Sequence, residues 1–284
     1  MFIFKNFIYI NLYYQSLFFF VPLLTILTVT KNPGYEVIKT VNSVLSQSFK
    51  DYEYLIVDAN STDGTYEYLK KLKKEKKINK LILQKSKGIY EAINQGINAS
   101  KGKYIGIIHA ADSYAKEIFF KLNKSFSNKN DILFGSGKLS FNFFNTNIHI
   151  KSNAYKQLDK SMSLLHPSTF VKKEIYKKLN FYEEGFKIAA DFHFFKKALN
   201  NNYKFFNTKL EITDIKFGGI SAQLKNSVII AQELAAISNN YKDKNLISLN
   251  FLLIFLKVFL DISKKKIKNN LNIFYKFIYL VVKL

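Results

Sequence analysis

Cysteine and arginine are both missing from this 284-residue chain, and each absence narrows what it can do. Without cysteine there is no disulfide framework and no thiolate metal site, and a reducing compartment is compatible with the composition. Arginine is also missing, so the formal net charge of +22 rests on lysine alone. Such a charge would ordinarily suggest nucleic acid or an anionic membrane surface. Base readers and bidentate phosphate clamps, however, draw on the planar fork of arginine. Nucleic acid is therefore not the expected partner, and the charge reads partly as composition, alongside heavy use of Ile, Asn, Phe and Tyr. There is no glycine-rich phosphate loop of the Walker type, which disfavours a nucleotidyltransferase, and no internal repeat. Residues 1–21 have neither the clean apolar run and small-residue cleavage site of a secretory signal nor the roughly 20 apolar residues of a spanning helix. An interfacial helix, or an upstream start whose product lies outside the working domain, accounts for this extension equally well.

The length allows one large core, or one domain with appendages. From Pro22 the chain becomes regular. Leu24–Val29 is an apolar, β-branched run broken by Thr30-Lys31-Asn32-Pro33-Gly34. Val37, Ile38, Val41, Val44 and Leu45 follow at helical spacing. Tyr54–Val57 reads as a second strand ending in Asp58, with a polar loop through Asp63 and Gly64 opening another helix. Leu81–Leu83 is a third strand, Ile89–Ile97 a helical stripe, and Tyr104–Ile108 a fourth strand, which leaves Asp112 just past its end. Strand and helix in alternation predict a parallel sheet with right-handed crossovers, all four strands opening into polar loops along one edge. In such a sheet, ligands meet the carboxyl ends of the strands, so Asp112 is placed to meet a ligand or metal. It also reads as the cap of a helix starting near Ala115.

The second half is less regular. Ile132–Phe134 and Lys138–Phe143 alternate like strands, and Lys172–Leu179 and Ala190–Leu199 read as helices. Past Ser221 the pattern is helical. Leu249–Leu260 and Phe274–Leu284 are apolar stretches separated by Lys264, Lys265, Lys266 and Lys268, which suits either a helix in a lipid headgroup region or one packed on the domain. The expected division is an extension over 1–21, a domain over 22–221 with halves at 22–114 and 115–221, and a basic, apolar helical tail over 222–284.

Five segments occur in a telling order. They are Leu24 to Asn32, Thr40-Val41-Asn42-Ser43-Val44-Leu45-Ser46-Gln47, Val57-Asp58-Ala59-Asn60-Ser61-Thr62-Asp63-Gly64-Thr65, Lys87-Gly88-Ile89-Tyr90-Glu91-Ala92-Ile93-Asn94-Gln95-Gly96 and Gly102-Lys103-Tyr104-Ile105. Together they resemble the family 2 glycosyltransferases, of the bacterial type that builds capsule, lipopolysaccharide and exopolysaccharide, with a looser match continuing to Ser221. The resemblance implies a GT-A fold, that is, a Rossmann-like, mostly parallel α/β sheet flanked by helices, here with a C-terminal helical tail. It further implies a nucleotide-sugar donor, UDP-linked by preference, and inverting transfer by direct displacement to a lipid-linked or oligosaccharide acceptor. The expected location is the cytoplasm, peripheral to the inner face of the cell membrane.

The resemblance also distributes roles. A metal held by a carboxylate would stabilise the departing diphosphate, and Mg²⁺ or Mn²⁺ commonly takes only one or two protein carboxylates; Asp112 would supply one. Asp58 would contact the base or ribose of the donor, with Asp63, Thr30, Asn32 and Lys87 nearby. Asp63 reads equally well as a helix cap before Gly64-Thr65. An inverting transferase needs a base for the acceptor hydroxyl. Asp191, followed by Phe192, matches the family's position for it, though it also reads as an N-cap. His166 resembles a histidine near the acceptor and metal side, or is a satisfied core histidine. Gly218 and Gly219 suit a flexible loop closing over the donor. His109 and His193 read as structural.

Two positions depart from the pattern. Ala111-Asp112 stands where the family commonly has Asp-Asp, and Ser86 stands where it commonly has an acid two residues before Gly88. Each missing charged partner corresponds to about 1.5–3 kcal/mol of binding. The sequence therefore supports two readings: an active metal-dependent transferase, or a catalytically impaired GT-A domain that serves as a binding or scaffold partner in a polysaccharide-synthesis complex.

Overall fold

A computed structural model describes residues 21–85, 87–141, 146–150, 155, 158, 162–216, 219 and 226–238. The first half follows the alternation of the sequence: β1 (Leu24–Thr30), α1 (Glu36–Leu45), β2 (Tyr52–Asp58), α2 (Thr65–Lys74), β3 (Lys80–Leu83), α3 (Ile89–Ala99) and β4 (Tyr104–His109). These four strands pair in parallel in the order β3-β2-β1-β4. Their register places Thr30 beside Asp58 and Val29 beside His109, so the strand ends form one level edge.

Period-two alternation feeds two cores. Leu27 and Val29 of β1, Leu55 and Val57 of β2 and Ile105 and Ile107 of β4 face one side, packed with Ile93 and Ile97 of α3. Leu24, Ile26, Tyr54, Ile56, Tyr104 and Ile108 face the other, against Val37, Val41 and Val44 of α1 and Leu69 and Leu72 of α2. Each such side chain contributes about 1.5–3 kcal/mol by leaving water. The sheet with helices on both faces is thus the only arrangement that buries both sets.

Beyond β4 come β5 (Ser113–Tyr114), α4 (Ile118–Leu122), β6 (Ile132–Phe141), β7 (Thr146–Ile150), β8 (Thr169–Lys172), α5 (Lys173–Lys178), α6 (Ala190–Asn200), β9 (Phe205–Lys216) and α7 (Ser227–Ser238). The sheet continues β4-β8-β6-β9-β5, with β7 on β6. The parallel character of the first half does not persist: β8 runs antiparallel to both β4 and β6, β5 to β9 and β7 to β6, while β6 and β9 are parallel.

Several sequence boundaries need correction. The run Ile132–Phe134 and the described part of the run Lys138–Phe143, up to Phe141, belong to one strand, β6, whose register against β9 shifts around Ser136; 142 and 143 lie outside the described residues. The helix expected at Lys172–Leu179 begins at Lys173, because Thr169–Lys172 is fully buried between β4 and β6 as β8. β9 was not expected: its polar residues Asn207, Lys209, Glu211 and Asp214 hide the strand, and pairing with both β6 and β5 holds it. The residues 1–20 and the lysine-flanked apolar stretches after 238 lie outside the described residues. Among those described, no helix is long and apolar enough to cross a membrane.

At Gly102 the chain turns into β4 so close to β1 that a Cβ would stand 2.4 Å from the backbone nitrogen of Thr25. The Gly102 N–H also donates to Thr25 Oγ1 at 2.8 Å. Gly102→Ala should therefore cost about 1–3 kcal/mol through strain that backbone cannot easily relieve, read as a lowered urea midpoint with an unchanged m-value.

Candidate active site

The site lies along the level edge formed by β1, β2 and β4. On the β1–β2 side, Asp58 is fully buried and both its oxygens serve one residue: Oδ1 accepts from the Ser61 N–H at 2.8 Å and Oδ2 from the Ser61 hydroxyl at 2.7 Å. Ser61 Oγ in turn accepts from the Asn32 N–H at 2.9 Å, and Asn32 Oδ1 accepts from the Thr62 N–H at 2.8 Å. Asn32 adopts φ 48°, a left-handed conformation that Asn tolerates better than most residues. Asp63 accepts from the Gly34 N–H at 2.6 Å and from the Thr65 N–H at 3.1 Å, and its pKa is lowered chiefly by the contact with Thr65. It thus ties the loop after β1 to the first turn of α2. Thr30 ends β1 with a buried hydroxyl that has no hydrogen-bond partner among the described residues. Lys87 is exposed at the start of α3.

On the β4 side the position of Asp112 is dictated by α1. Thr40 is fully buried, and its hydroxyl donates to the Asp112 carbonyl at 2.7 Å while accepting from the Ala111 N–H at 3.0 Å. Ser43 Oγ accepts from the Tyr114 N–H at 3.1 Å. Gln47 donates to the Ala115 carbonyl at 3.0 Å and accepts from the Phe119 N–H at 3.2 Å. Thr40 and Ser43 share one face of α1, and Gln47 follows two residues past its end, so these three polar side chains clamp the whole segment after β4. Sequence reasoning quoted this motif without assigning it a task; the signal was the helical spacing of three polar residues. Ala111 sits at φ 89°, strained for a residue with a Cβ, and this clamp holds it there.

The Asp112 carboxylate is buried at 7% exposure, and Oδ1 accepts from the Lys216 N–H of β9 at 2.9 Å. Burial pushes its pKa up to about 7, partly offset by that hydrogen bond and by Lys39, and reinforced by Asp214. The capping reading of Asp112 fails, because the next helix starts at Ile118. Among the described residues no three His, Cys, Asp or Glu side chains converge as a metal-ligand set. One buried carboxylate whose charge lacks full compensation nonetheless fits a hard cation completed by phosphate and water.

The other carboxylate is organised from α3. Asn94 donates to the Tyr182 carbonyl at 2.9 Å and accepts from its N–H at 3.1 Å, while Tyr90 donates to the Ile188 carbonyl. These two residues, one turn apart, fix the segment that leads into α6. Asp191 is the second residue of α6; the cap position belongs to Ala189, so the N-cap reading of Asp191 also fails. Its Oδ1 accepts from the Phe192 N–H at 2.8 Å. Burial raises its pKa to about 6, against the lowering effects of backbone hydrogen bonds and Tyr90.

Two histidines lie between the carboxylates. The rings of His109 and His166 are 5.6 Å apart, and His166 Nε2 meets the Tyr182 hydroxyl at 3.0 Å. Burial lowers His109 to about 4 and His166 to about 3, so both are neutral at pH 7. The Tyr182 ring lies 5.6 Å from that of Tyr90, tilted by 38°, and Tyr90 borders Asp191. The structure thus links Asp112, His109, His166, Tyr182, Tyr90 and Asp191 through successive contacts, and leaves Asp58, Asn32 and Asp63 as a separate loop network. Gly219 is exposed, with open space around its Cα; Gly218, Ser221 and Ser86 lie outside the described residues.

Comparison with known proteins agrees with this architecture. The family described as Glycosyl transferase family 2 matches residues 25–202. An uncharacterised glycosyltransferase of Methanocaldococcus jannaschii is 29% identical over 195 residues, 65% of this chain and 67% of that protein. TuaG of Bacillus subtilis, a glycosyltransferase assigned to teichuronic acid biosynthesis, is 32% identical over 97 residues, 34% of this chain and 38% of TuaG. Among solved structures, S. aureus TarS 1-349 in complex with UDP-GlcNAc shares the fold at TM-score 0.59 and 16% identity, over 75% of this chain and 66% of that one. The mannosyltransferase PcManGT from Pyrobaculum calidifontis, solved with GDP-Man and Mn²⁺, does so at TM-score 0.58 and 14% identity, over 79% and 65%. The chain therefore spans less than two thirds of TuaG and of these two solved chains.

The raised pKa of Asp112 makes a stability prediction. In the unfolded chain the carboxyl titrates near 3.8, and burial in the folded protein pushes it up to about 7. The folded state thus holds the extra proton between these values, and stability is full below the lower one and lost as pH rises through the upper. Asp112→Asn should match the wild type near pH 4 and exceed it at pH 8 by on the order of 2–4 kcal/mol in urea denaturation.

Proposed function

Since the chain belongs to glycosyl transferase family 2, we propose that it moves a sugar from a nucleotide-diphosphate donor to a lipid-linked or oligosaccharide acceptor, with inversion, in the synthesis of a surface polysaccharide. The observation that carries this reading is the pair of carboxylates with raised proton affinity, Asp112 and Asp191, held on opposite sides of one strand edge by polar residues of α1 and α3. Two carboxyl groups in different environments can divide anion-handling and proton-handling between them. TarS and PcManGT, solved with UDP-GlcNAc and GDP-Man, support a nucleotide-sugar donor, and the Mn²⁺ in PcManGT supports a divalent cation.

In this reading the donor nucleotide lies over the loops after β1 and β2. The unpartnered Thr30 hydroxyl and Asn32 face it, and Asp58 and Asp63 keep those loops in place; Lys87 approaches the phosphates from the start of α3. Asp112 would hold Mn²⁺ or Mg²⁺, which when bound supplies positive charge to the departing diphosphate. Asp191 takes the proton of the acceptor hydroxyl as that oxygen attacks the anomeric carbon from the face opposite the diphosphate. With its pKa at about 6, Asp191 is mostly ionised at neutral pH and still basic enough to hold the proton. The neutral His166, anchored by Tyr182, offers a polar but uncharged wall on the acceptor side. The basic tail would keep the enzyme at the inner face of the membrane, where each lysine near anionic lipid contributes about 1 kcal/mol.

Ala111, which stands where the family commonly has a second acid, favours one other reading, a scaffold domain with an impaired site. Titration with UDP, and separately GDP, with and without Mn²⁺, distinguishes the two. Binding of one nucleotide, strengthened by Mn²⁺ and no longer so in Asp112→Ala, is the expected result; no binding of either nucleotide under any condition would leave the scaffold. Asp191→Asn should keep nucleotide affinity and lose transfer by roughly 100-fold or more.

A further inference from the structure

Helix α7 lies beyond residue 202, where the family match ends, yet it reaches back to the acceptor side. The carboxylate of Glu233 accepts three backbone hydrogen bonds, from Lys187 at 2.6 Å, Ile188 at 3.0 Å and Ala189 at 2.8 Å. These N–H groups belong to the turn that leads into α6, the last of them being that of its cap residue Ala189. Lys196 of α6 donates to the Ile237 carbonyl at 3.0 Å, and Ile237 is buried in the same core as Phe192, Phe194 and Phe195. The helix is thus fastened to α6 at both its polar and its apolar contacts.

We propose that Glu233 is a positioning residue for Asp191: it fixes the Lys187–Ala189 turn that leads into α6 and sets a second carboxylate near that of Asp191. The inference rests on Asp191 being the base. Carboxylates in the first turn of a helix are acidified by the free N–H groups there, and a like charge nearby acts against this. Asp191 accepts from the Phe192 N–H of that turn, and Glu233 supplies the like charge. The groups that face Asp191 are Tyr90 from α3, Tyr182 from the preceding segment and Glu233 from α7. Of these only Glu233 is a carboxylic acid. Removing it acts towards a more acidic Asp191.

The test uses the full chain labelled with carboxyl-¹³C aspartate, the Asp191 signal being assigned by its loss in Asp191→Asn. In Glu233→Gln, which keeps an acceptor oxygen and removes the charge, the titration midpoint of Asp191 should move to lower pH. In Glu233→Ala the amides of Lys187, Ile188 and Ala189 should also exchange with solvent roughly tenfold faster, as expected for the loss of charge-assisted hydrogen bonds. An unchanged Asp191 midpoint in Glu233→Gln overturns the proposal, even if exchange quickens in Glu233→Ala, because Glu233 would then be a cap and nothing more. These readouts need no turnover. Retention of transfer in Asp191→Asn would remove the base assignment, and the titration would still report whether Glu233 governs that carboxyl.

Discussion

The structure depends on a buried hydroxyl. Thr40 lies on the apolar face of α1, where an unpaired polar group costs several kcal/mol, and it avoids that cost by both donating to and accepting from the chain after β4. Ser43 and Gln47 do the same further along the chain. Because all three must be satisfied together, the helix and the loop can pack in only one relation. That relation places Asp112, imposes the positive φ on Ala111 and turns the chain into β5, where it meets β9.

The Asp191 side repeats the device from the opposite face of the sheet. Tyr90 and Asn94 extend from α3 to the segment between Tyr182 and Ile188, so a helix buried against β1 and β2 sets the start of α6. Asp112 is therefore carried on irregular chain and Asp191 in the first turn of α6, and both are held from neighbouring helices, which is how a site keeps its geometry while remaining open to a ligand. Their raised proton affinities follow from the same placement. Asp112 is buried and Asp191 partly so, and each is given fewer hydrogen bonds than a carboxylate can accept. Asp58, by comparison, has both oxygens hydrogen-bonded to Ser61, which ties the loop after β2 to the strand end.

Helix α7 adds a third support from beyond the residues that match the family. The Glu233 carboxylate ties down the turn before α6 through three backbone N–H groups, so the C-terminal part of the chain braces the start of the helix that carries Asp191.

Much of this was legible in the sequence for a physical reason. β1 to β4 and α1 to α3 are set by local periodicity, and parallel pairing with right-handed crossovers leaves little choice in assembling them. The order of the motifs identified the family, and the positions of Asp112 and Asp191 followed. Local pattern could not show β8, a buried four-residue strand fused to a helix, or β9, whose polar residues are offset by pairing on both sides. Nor could it assign Thr40, Ser43, Gln47, Tyr90, Asn94 or Glu233, whose partners lie from 44 to 98 residues away in sequence. The sequence by itself determined which residues could do the chemistry, because type and spacing are local properties. Which of them are held, shielded from water and left with free hydrogen-bonding capacity was decided only by the tertiary structure, because hydrogen-bond satisfaction and burial are settled by parts of the chain that meet only on folding.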